Sequence, residues 1–307
     1  MTKLLVAVLT RDRPSSLERL LTGLGACIAP QSEVSVVVID NDSQQGARGV
    51  VEEHQDKSVW PLHYAVQPRL GIPYSRNFAL HLAADYDFLA FIDDDEVPDA
   101  KWMVQLEAPL LQSASVDAVT GPAVRVLPAG APNWLRQTRT YAAVPRVSGS
   151  LMPTSATNNV MIRMSTINAM RLRFDERFPL LGGSDSYFFT RMVNEGGVIL
   201  WEQSAQVSER VPLERASWRW LLRRGFRGGY ADGVRRIADQ PIGGTLATLT
   251  RATAWVCAGA ARLPLPLALK RAASATEAGI RFAAGVGAYA AVLRYRFEDY
   301  SSVDGAG

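Results

Sequence analysis

Apolar and polar positions alternate along the first hundred residues in blocks that predict strands followed by helices. Four short apolar blocks favour strands, at residues 4–9, 34–39, 62–66 and 88–92. Between them, apolar side chains recur at the helical spacing of three and four, as in Leu17, Leu20, Leu21 and Leu24. This order of fully apolar strands and helices predicts a parallel sheet that helices cover on both faces, an α/β fold.

The helices of this half have recognisable starts. Ser15 and Ser16 are placed to cap the first helix, a second is predicted around Val50 and Val51, and a third over residues 73–84. Each helix separates two predicted strands. The pattern therefore predicts a β-α-β-α order up to residue 92.

The middle of the chain has a less regular pattern. Residues 116–126, with Gly121 and Pro122 inside them, predict one further strand, and residues 160–163 another. The stretch 127–153 is polar and contains proline and glycine, which predicts a long loop. A helix is expected over 185–195, with Gly183 and Ser184 as its turn and cap.

From residue 243 onward the chain is rich in alanine and leucine, with arginines interspersed. Its longest charge-free apolar stretch, 282–293, is shorter than the roughly 20 residues that a membrane-spanning helix needs. Two interpretations stay open: helices that pack on the rest of the protein, or helices in a membrane interface. The predicted domains are 1–230, divided into a nucleotide-binding half (1–100) and an acceptor half (101–230), and a helical region, 231–307.

Composition narrows the class of protein. The 307 residues are 48% hydrophobic and 21% charged, which is typical of a globular protein. A net charge of +3 does not favour a nucleic-acid partner. Cys27 and Cys257 give no disulfide framework. The first apolar run is too short for a signal-peptide core, so we expect a protein that is cytoplasmic or attached to the inner face of the membrane.

Polar clusters follow three of the predicted strands, at residues 10–13, 40–43 and 93–96. Ligands of open α/β sheets bind beyond the carboxyl ends of the strands. The three clusters should therefore meet at one edge of the sheet. Their common placement indicates a ligand site there.

The cluster Asp93-Asp94-Asp95 follows a buried strand directly. Two carboxylates one residue apart on a loop can share Mg²⁺ or Mn²⁺, and the cation can offset the charge of a diphosphate leaving group. A solvated acidic loop is the plain alternative. A phosphohydrolase of the haloacid dehalogenase type is another, since Asp93, Asp95 and Val97 fit its motif. Here, however, the cluster follows several β-α units, and Lys101 and Lys270 are the only later lysines.

The first 230 residues resemble inverting family 2 glycosyltransferases of the GT-A fold, and among them the ExoM-like branch of bacterial exopolysaccharide enzymes. The matching stretches are 38–43 (VIDNDS), 71–77 (GIPYSRN), 91–98 (FIDDDEVP) with Trp102, 121–122 (GP), 174–178 (FDERF), and 182–185 (GGSD) with Arg191. The resemblance implies a Rossmann-like, mostly parallel mixed sheet flanked by helices, with a C-terminal helical appendage.

The resemblance also implies roles for single residues. Asp95 would bind the metal, Asp93 the metal or the ribose, and Asp94 would belong to the same donor site. The other donor-binding residues implied are Thr10 and Arg11 beside the nucleotide, Asp40 or Asp42 at the uracil or ribose, and Arg69 and Arg76. Arg76 could equally be a structural ion-pair partner.

Asp185 is the candidate general base. Inversion by direct displacement requires a carboxylate that takes the proton of the acceptor hydroxyl, and a carboxylate at a helix start after two glycines can face a pocket. Helix capping alone would also explain an aspartate there. This sequence has Ser184 where many family members have a second acid.

Many GT-A enzymes have a late histidine as an extra metal ligand, but His54, His63 and His81 all precede the acidic cluster. Glu209 could replace it as an oxygen ligand. It could also pair with Arg210 or Arg215.

The expected activity is transfer of a sugar, glucose by resemblance, from a UDP-sugar to a lipid-linked oligosaccharide or polysaccharide, with Mg²⁺ or Mn²⁺ as cofactor. The expected partners are thus a nucleotide-sugar donor, a saccharide acceptor and a membrane surface touched by the C-terminal region. The alternatives are phosphate hydrolysis and a catalytically silent nucleotide-sugar binder.

Overall fold

The computed structural model of the chain describes residues 1–142 and 145–295. Residues 143–144 of the predicted loop and 296–307 of the predicted helical region lie outside the described residues. The described part contains a large sheet, a small sheet and a C-terminal group of helices.

The large sheet has seven strands in the order β3-β2-β1-β4-β8-β6-β9. Their bounds are β1 Lys3–Thr10, β2 Glu33–Asp40, β3 Leu62–Val66, β4 Phe88–Asp93, β6 Ala118–Thr120, β8 Asn159–Arg163 and β9 Ile199–Trp201. Only β8 runs antiparallel to its neighbours β4 and β6; the other pairs are parallel. The prediction of a mixed, mostly parallel sheet is confirmed.

The strand order reverses between β1 and β4, which places their ends side by side. β2 and β3 extend the sheet on one side of β1, and β4 returns to the other side, with Leu9 paired to Asp93. Such a switch point opens a crevice beyond the strand ends, where open α/β sheets bind ligands. Residues 10–13 and 93–96 meet there.

Helices cover both faces of this sheet. Their bounds are α1 Pro14–Gly25, α2 Arg48–Gln55, α3 Ile72–Leu82, α4 Trp102–Gln112, α5 Met164–Ala169 and α6 Ser184–Asn194. Alternate residues of β1 belong to two different cores, Val6 to the one with α1 and α4, and Ala7 to the one with α3 and α6. This explains the uninterrupted apolar runs of the strands, because both faces of each strand are buried.

Three local predictions are wrong. Ser184, expected as a cap before the helix at 185–195, is the first residue of α6, and Gly183 occupies the cap position without a side-chain hydrogen bond. The predicted single strand at 116–126 is two strands in two sheets, because Gly121 and Pro122 interrupt it. β7 (Ala123–Val126) joins the small sheet β5-β10-β7, with β5 Glu96–Pro98 and β10 Val207–Arg210. Ser15 and Ser16 do not cap α1, because that helix already begins at Pro14 and Arg13 occupies the cap position.

The C-terminal part is a helical bundle of α7 Trp218–Asp239, α8 Pro241–Arg262, α9 Pro264–Ala268 and α10 Ala272–Val292. Residue 230, where the sequence placed a domain boundary, lies inside α7, and the division into domains stays a prediction. Among the described residues, no helix is both long and apolar enough to cross a membrane.

Candidate active site

The ends of β1 and β4 are tied together through Asp94. Its carboxylate is buried, accepts a hydrogen bond of 2.8 Å from the Thr10 hydroxyl, and lies 3.1 Å from an Arg13 nitrogen. Burial raises the pKa of Asp94 to about 6, although Arg13 and Thr10 oppose the shift. Asp94 therefore links the ends of β1 and β4, and Arg11 is the first residue after β1.

Asp95 faces two arginines from different parts of the chain. One oxygen of Asp95 lies 3.1 Å from Arg13 and 3.7 Å from Arg215, which precedes α7. Asp93 lies at the end of β4, and burial together with Asp95 raises its pKa to about 7, against the effect of Arg76. The crevice thus holds three consecutive carboxylates and the cations that partly balance them.

Two glutamates of the small sheet add to this negative charge. Glu96 of β5 and Glu209 of β10 are direct cross-strand partners, an arrangement that is destabilising for like charges. Glu96 is buried, accepts from Asn158 at 2.7 Å, and leaves its Oε2 without a hydrogen-bond partner. Burial and Asp93 raise the pKa of Glu96 well above its usual value.

Glu209 itself lies 3.2 Å from Arg125 and 3.4 Å from Arg215. Of the pairings left open by the sequence, the one with Arg215 is therefore present. Among the described residues, no three His, Cys, Asp or Glu side chains converge as a metal site. Metal binding by Glu209, Asp93 and Asp95 stays a prediction.

The loop after β2 is organised by its two aspartates. Asp40 is fully buried and accepts from the backbone of Asp42 and Ala47 and from the Tyr64 hydroxyl, at 2.8–3.1 Å. Asp42 is partly exposed and accepts from the backbone of Gln44 at 3.1 Å. The carboxylate of Asp40 thus stabilises the loop through its hydrogen bonds, whereas the side chain of Asp42 is partly accessible to a ligand.

Asp185 lies within electrostatic range of Asp93 of the acidic cluster, and Arg76 acts on both carboxylates. Arg76 is buried on α3, donates to the Ser184 hydroxyl at 2.6 Å, and lies 3.7 Å from an oxygen of Asp185. The same guanidinium counteracts the raised pKa of Asp93. Arg76 therefore has the ion pair that the sequence offered as one of its two interpretations, and it stands between Asp93 and Asp185.

The segment that leads to Asp185 is held by residues of α3. Asn77 exchanges hydrogen bonds with the backbone of Phe174 at 2.8 and 3.0 Å and donates to Glu176 at 2.7 Å. Glu176 also lies 3.9 Å from the exposed Arg69, which covers the ring of Tyr74 at 4.0 Å. Arg69 is therefore at the rim of the crevice.

α7 contacts the same segment from the other side. Arg235 is buried, lies 3.4 Å from the carbonyl of Leu181, and would be 3.1 Å from a Cβ placed on Gly183. One turn later, Asp239 accepts from Arg177 at 2.6 Å and from the Tyr187 hydroxyl at 2.9 Å. The helical bundle is thus part of the wall around Asp185.

Sequence reasoning missed three residues of this arrangement. Arg13 pairs with Asp94 and Asp95 of the acidic cluster, and its position three residues beyond β1 was the available signal. Glu96 directly follows Asp95 and could have been included with it. Arg235 had no signal, because it lies 50 residues beyond Asp185 on a helix with many arginines.

Comparison with known proteins gives a family. Residues 5–178 match the model of "Glycosyl transferase family 2". Succinoglycan biosynthesis protein ExoM of Rhizobium meliloti (strain 1021) is 32% identical over 269 residues, which cover 87% of this chain and 86% of that protein.

Solved structures show the same fold. Mannosyltransferase PcManGT from Pyrobaculum calidifontis, in complex with GDP-Man and Mn²⁺, superposes with a TM-score of 0.64 at 19% identity, covering 96% of this chain and 88% of that one. S. aureus TarS 1–349 in complex with UDP gives 0.54 at 16% identity, covering 99% and 95%. In another TarS structure this chain spans 40% of the length. The expected GT-A fold is confirmed.

Proposed function

The chain belongs to glycosyl transferase family 2, and from this premise we propose that it transfers a sugar, glucose by resemblance, from a UDP-sugar to a lipid-linked oligosaccharide or polysaccharide with inversion. One observation carries the proposal. Arg76 pairs with Asp185 and also acts electrostatically on Asp93, so a carboxylate that can accept a proton lies near carboxylates that can hold a diphosphate.

We assign the donor to the crevice at the switch point. Thr10 and Arg11 at the end of β1 would contact the nucleotide, and Asp42, which is accessible, would accept from the uracil or ribose while Asp40 holds the loop. Arg69 and Arg76 would lie along the donor. Arginine suits this role because its planar guanidinium donates to phosphate oxygens in pairs.

A divalent cation fits the chemistry of this crevice. Glu96 lies within electrostatic range of Asp93, Asp95 and Glu209, its pKa is raised, and one of its oxygens is buried without a hydrogen-bond partner. Mg²⁺ is usually held by one or two carboxylates together with substrate phosphates, so a three-residue cluster is not required. We propose Asp95 and Asp93 as ligands with Glu209 as a third. Mn²⁺ accompanies GDP-Man in PcManGT.

Each residue of the crevice has a separate proposed role in the displacement. Asp185 would take the proton of the acceptor hydroxyl while the acceptor oxygen forms a bond to the anomeric carbon of the donor sugar. The bond between that carbon and the diphosphate oxygen breaks at the same time. Asp95, Asp93 and Glu209 would hold a divalent cation, which would offset the charge of the leaving diphosphate. Arg13 and Arg215 lie beside Asp95 and can turn to the same phosphates. Attack opposite the leaving group inverts the anomeric centre.

The decisive experiment is Asp185→Asn. We expect loss of transfer with retention of Mn²⁺-dependent UDP binding, because the amide cannot accept the proton but the acidic cluster is unchanged. Glu195→Gln, at the other end of α6, is the matched control and should keep full activity. Full transfer by Asp185→Asn would refute the assignment of the base.

A thermal-shift panel tests the donor. UDP-, GDP- and dTDP-sugars with and without Mn²⁺ should separate, since a ligand at a hundred times its Kd adds about 2.7 kcal/mol of stability. We expect the largest metal-dependent shift with a UDP-sugar. Binding of a donor without turnover on any acceptor would instead identify a silent binder, and release of phosphate would identify a hydrolase.

A further inference from the structure

The turn between α8 and α10 exposes large apolar side chains at the end of the helical bundle. This segment, residues 262–271, contains α9 and is called the tip below. Leu265 is 66% exposed and Leu269 is 51% exposed. The backbone N–H of Leu269 donates to the carbonyl of Leu265 at 3.0 Å, so the two leucines lie four residues apart on one face of the turn.

The charged residues of the tip itself have a single sign. The tip contains Arg262, Lys270 and Arg271, all exposed, and no acidic residue. Across residues 241–295 there are six basic residues and one acidic residue, Glu277, which accepts from the backbone of Arg139 at 2.7 Å. The tip thus has apolar side chains next to cationic ones. This combination is complementary to a partner with an apolar interior and an anionic surface.

Helix packing places the tip at the same end of the bundle as the acidic cluster. Gly259 near the end of α8 contacts Ala278 of α10, and Gly279 contacts Leu222 near the start of α7. The end of α8, the start of α10 and the start of α7 therefore lie together. α7 begins three residues after Arg215, which is 3.7 Å from Asp95.

We propose that the tip docks on the surface of a lipid bilayer with anionic headgroups, with Leu265 and Leu269 in the interfacial layer. Cations near such a surface gain from its negative potential, and apolar side chains gain from burial at the headgroup boundary. This goes beyond sugar transfer and does not depend on the assigned base. If the acceptor is lipid-linked, docking would bring it to the end of the molecule that carries the acidic cluster.

The opposite end of the bundle provides the comparison. Ile242 and Leu246 at the start of α8 are 89% and 66% exposed, so they present as much apolar surface. The charges near them are mixed, because Asp232 of α7 pairs with Arg236 and Arg251. The two ends match in apolar exposure and differ in charge.

The test is co-sedimentation of the full chain with phosphatidylcholine vesicles that either contain phosphatidylglycerol or lack it. We expect binding to the anionic vesicles. Leu265→Asn with Leu269→Asn should lower the partition coefficient at least about tenfold. Lys270→Gln with Arg271→Gln should lower it about tenfold and weaken its dependence on salt. Ile242→Asn with Leu246→Asn is the matched control and should bind as the wild type does.

The proposal is overturned if the wild type fails to bind anionic vesicles, or if the control pair loses as much binding as the tip pair. Sedimentation velocity without vesicles provides a further arm, since a dimer that the tip substitutions dissociate would assign the tip to a second copy of the chain. Circular dichroism checks that each variant is folded. Asp185→Asn should bind vesicles like the wild type, so failure here is separable from failure of the proposed activity.

Discussion

In the α/β region large side chains fill the space between helices and sheet, whereas in the helical bundle the helices approach until their backbones touch. The largest fully buried side chains are Trp102, Phe88, Phe91, Phe174, Phe188 and Phe189, all in the α/β region. In the bundle, a Cβ on Gly229, Gly244 or Gly287 would lie 1.9–2.0 Å from a backbone oxygen of a neighbouring helix. Large side chains therefore exclude water from the core of the α/β region, whereas close contact between helix backbones excludes it from the helical bundle.

This difference indicates what each region can tolerate. A core filled by large groups is sensitive to loss of volume, because the cavity left behind is only partly closed. A helix–helix interface in which glycines allow the backbones to touch is sensitive to added volume. It also leaves the larger apolar residues of the bundle, such as Leu265 and Phe282, on the outside.

The largest expected effect is a cavity in the α/β region. Trp102→Ala removes a fully buried indole whose nitrogen donates to Asn159 at 2.8 Å, and we expect a loss of about 3–5 kcal/mol in the free energy of unfolding. Trp218→Ala, at 52% exposure in the bundle, should cost less than about 1 kcal/mol. Urea unfolding measures both. Equal losses would contradict the comparison.

Two neighbouring glycines of α7 test the bundle. A Cβ at Gly229 meets the backbone of Ala284 at 1.9 Å, so Gly229→Ala should lower the free energy of unfolding by about 1–3 kcal/mol. Gly228 has nothing within 4 Å of that position. Gly228→Ala should therefore raise it by about 0.5–1 kcal/mol, through helix propensity alone. The same sign for both substitutions would refute the close-contact interpretation.

The acidic cluster gives the α/β region a pH dependence. Burial and Asp95 raise the pKa of Asp93 from 3.8 to about 7 in the folded protein. The folded state then binds this proton more tightly than the unfolded chain, so this carboxyl's contribution to stability falls as the pH rises from about 4 to about 7. The full shift corresponds to about 4 kcal/mol, and solvent screening at this partly exposed side chain reduces it. Asp93→Asn should therefore match the wild type near pH 4 and exceed it by about 1–2 kcal/mol above pH 7, without metal.

Urea titrations in a chelator over this pH range would measure the effect. Asp56→Asn, an exposed aspartate at the end of α2, is the control and should follow the wild type at every pH. Parallel curves for the wild type and Asp93→Asn would show that the raised pKa is wrong.

The smallest expected effect concerns the junction of the two regions. Arg235→Gln removes the buried guanidinium beside Gly183, and on the proposed assignment of Asp185 we expect kcat to fall about tenfold, or about 1.4 kcal/mol, with the Kd of the donor unchanged. Arg235→Lys should recover part of the loss. Arg236→Gln, whose side chain pairs with Asp232, is the control. A change in donor affinity equal to the change in kcat would indicate a merely structural role.

Local pattern predicted the α/β region better than the bundle. Strands β1, β2, β3 and β4 were predicted within one or two residues of their bounds, because parallel strands buried on both faces are unbroken apolar runs. The break at Gly121 was missed. A Cβ there would lie 2.0 Å from the carbonyl oxygen of Ala205, a close approach that depends on residues 84 positions away.

The order of elements and the placement of Asp93, Asp94 and Asp95 at a strand end follow from the spacing of neighbouring residues, so both could be predicted from the sequence. The partners of these carboxylates depend on how distant parts of the chain pack. Arg76 meets Ser184 across 108 positions, and Arg235 reaches the segment before Asp185 from the helical bundle. Charges attract at any sequence separation, and packing alone selects which of the chain's many arginines comes near.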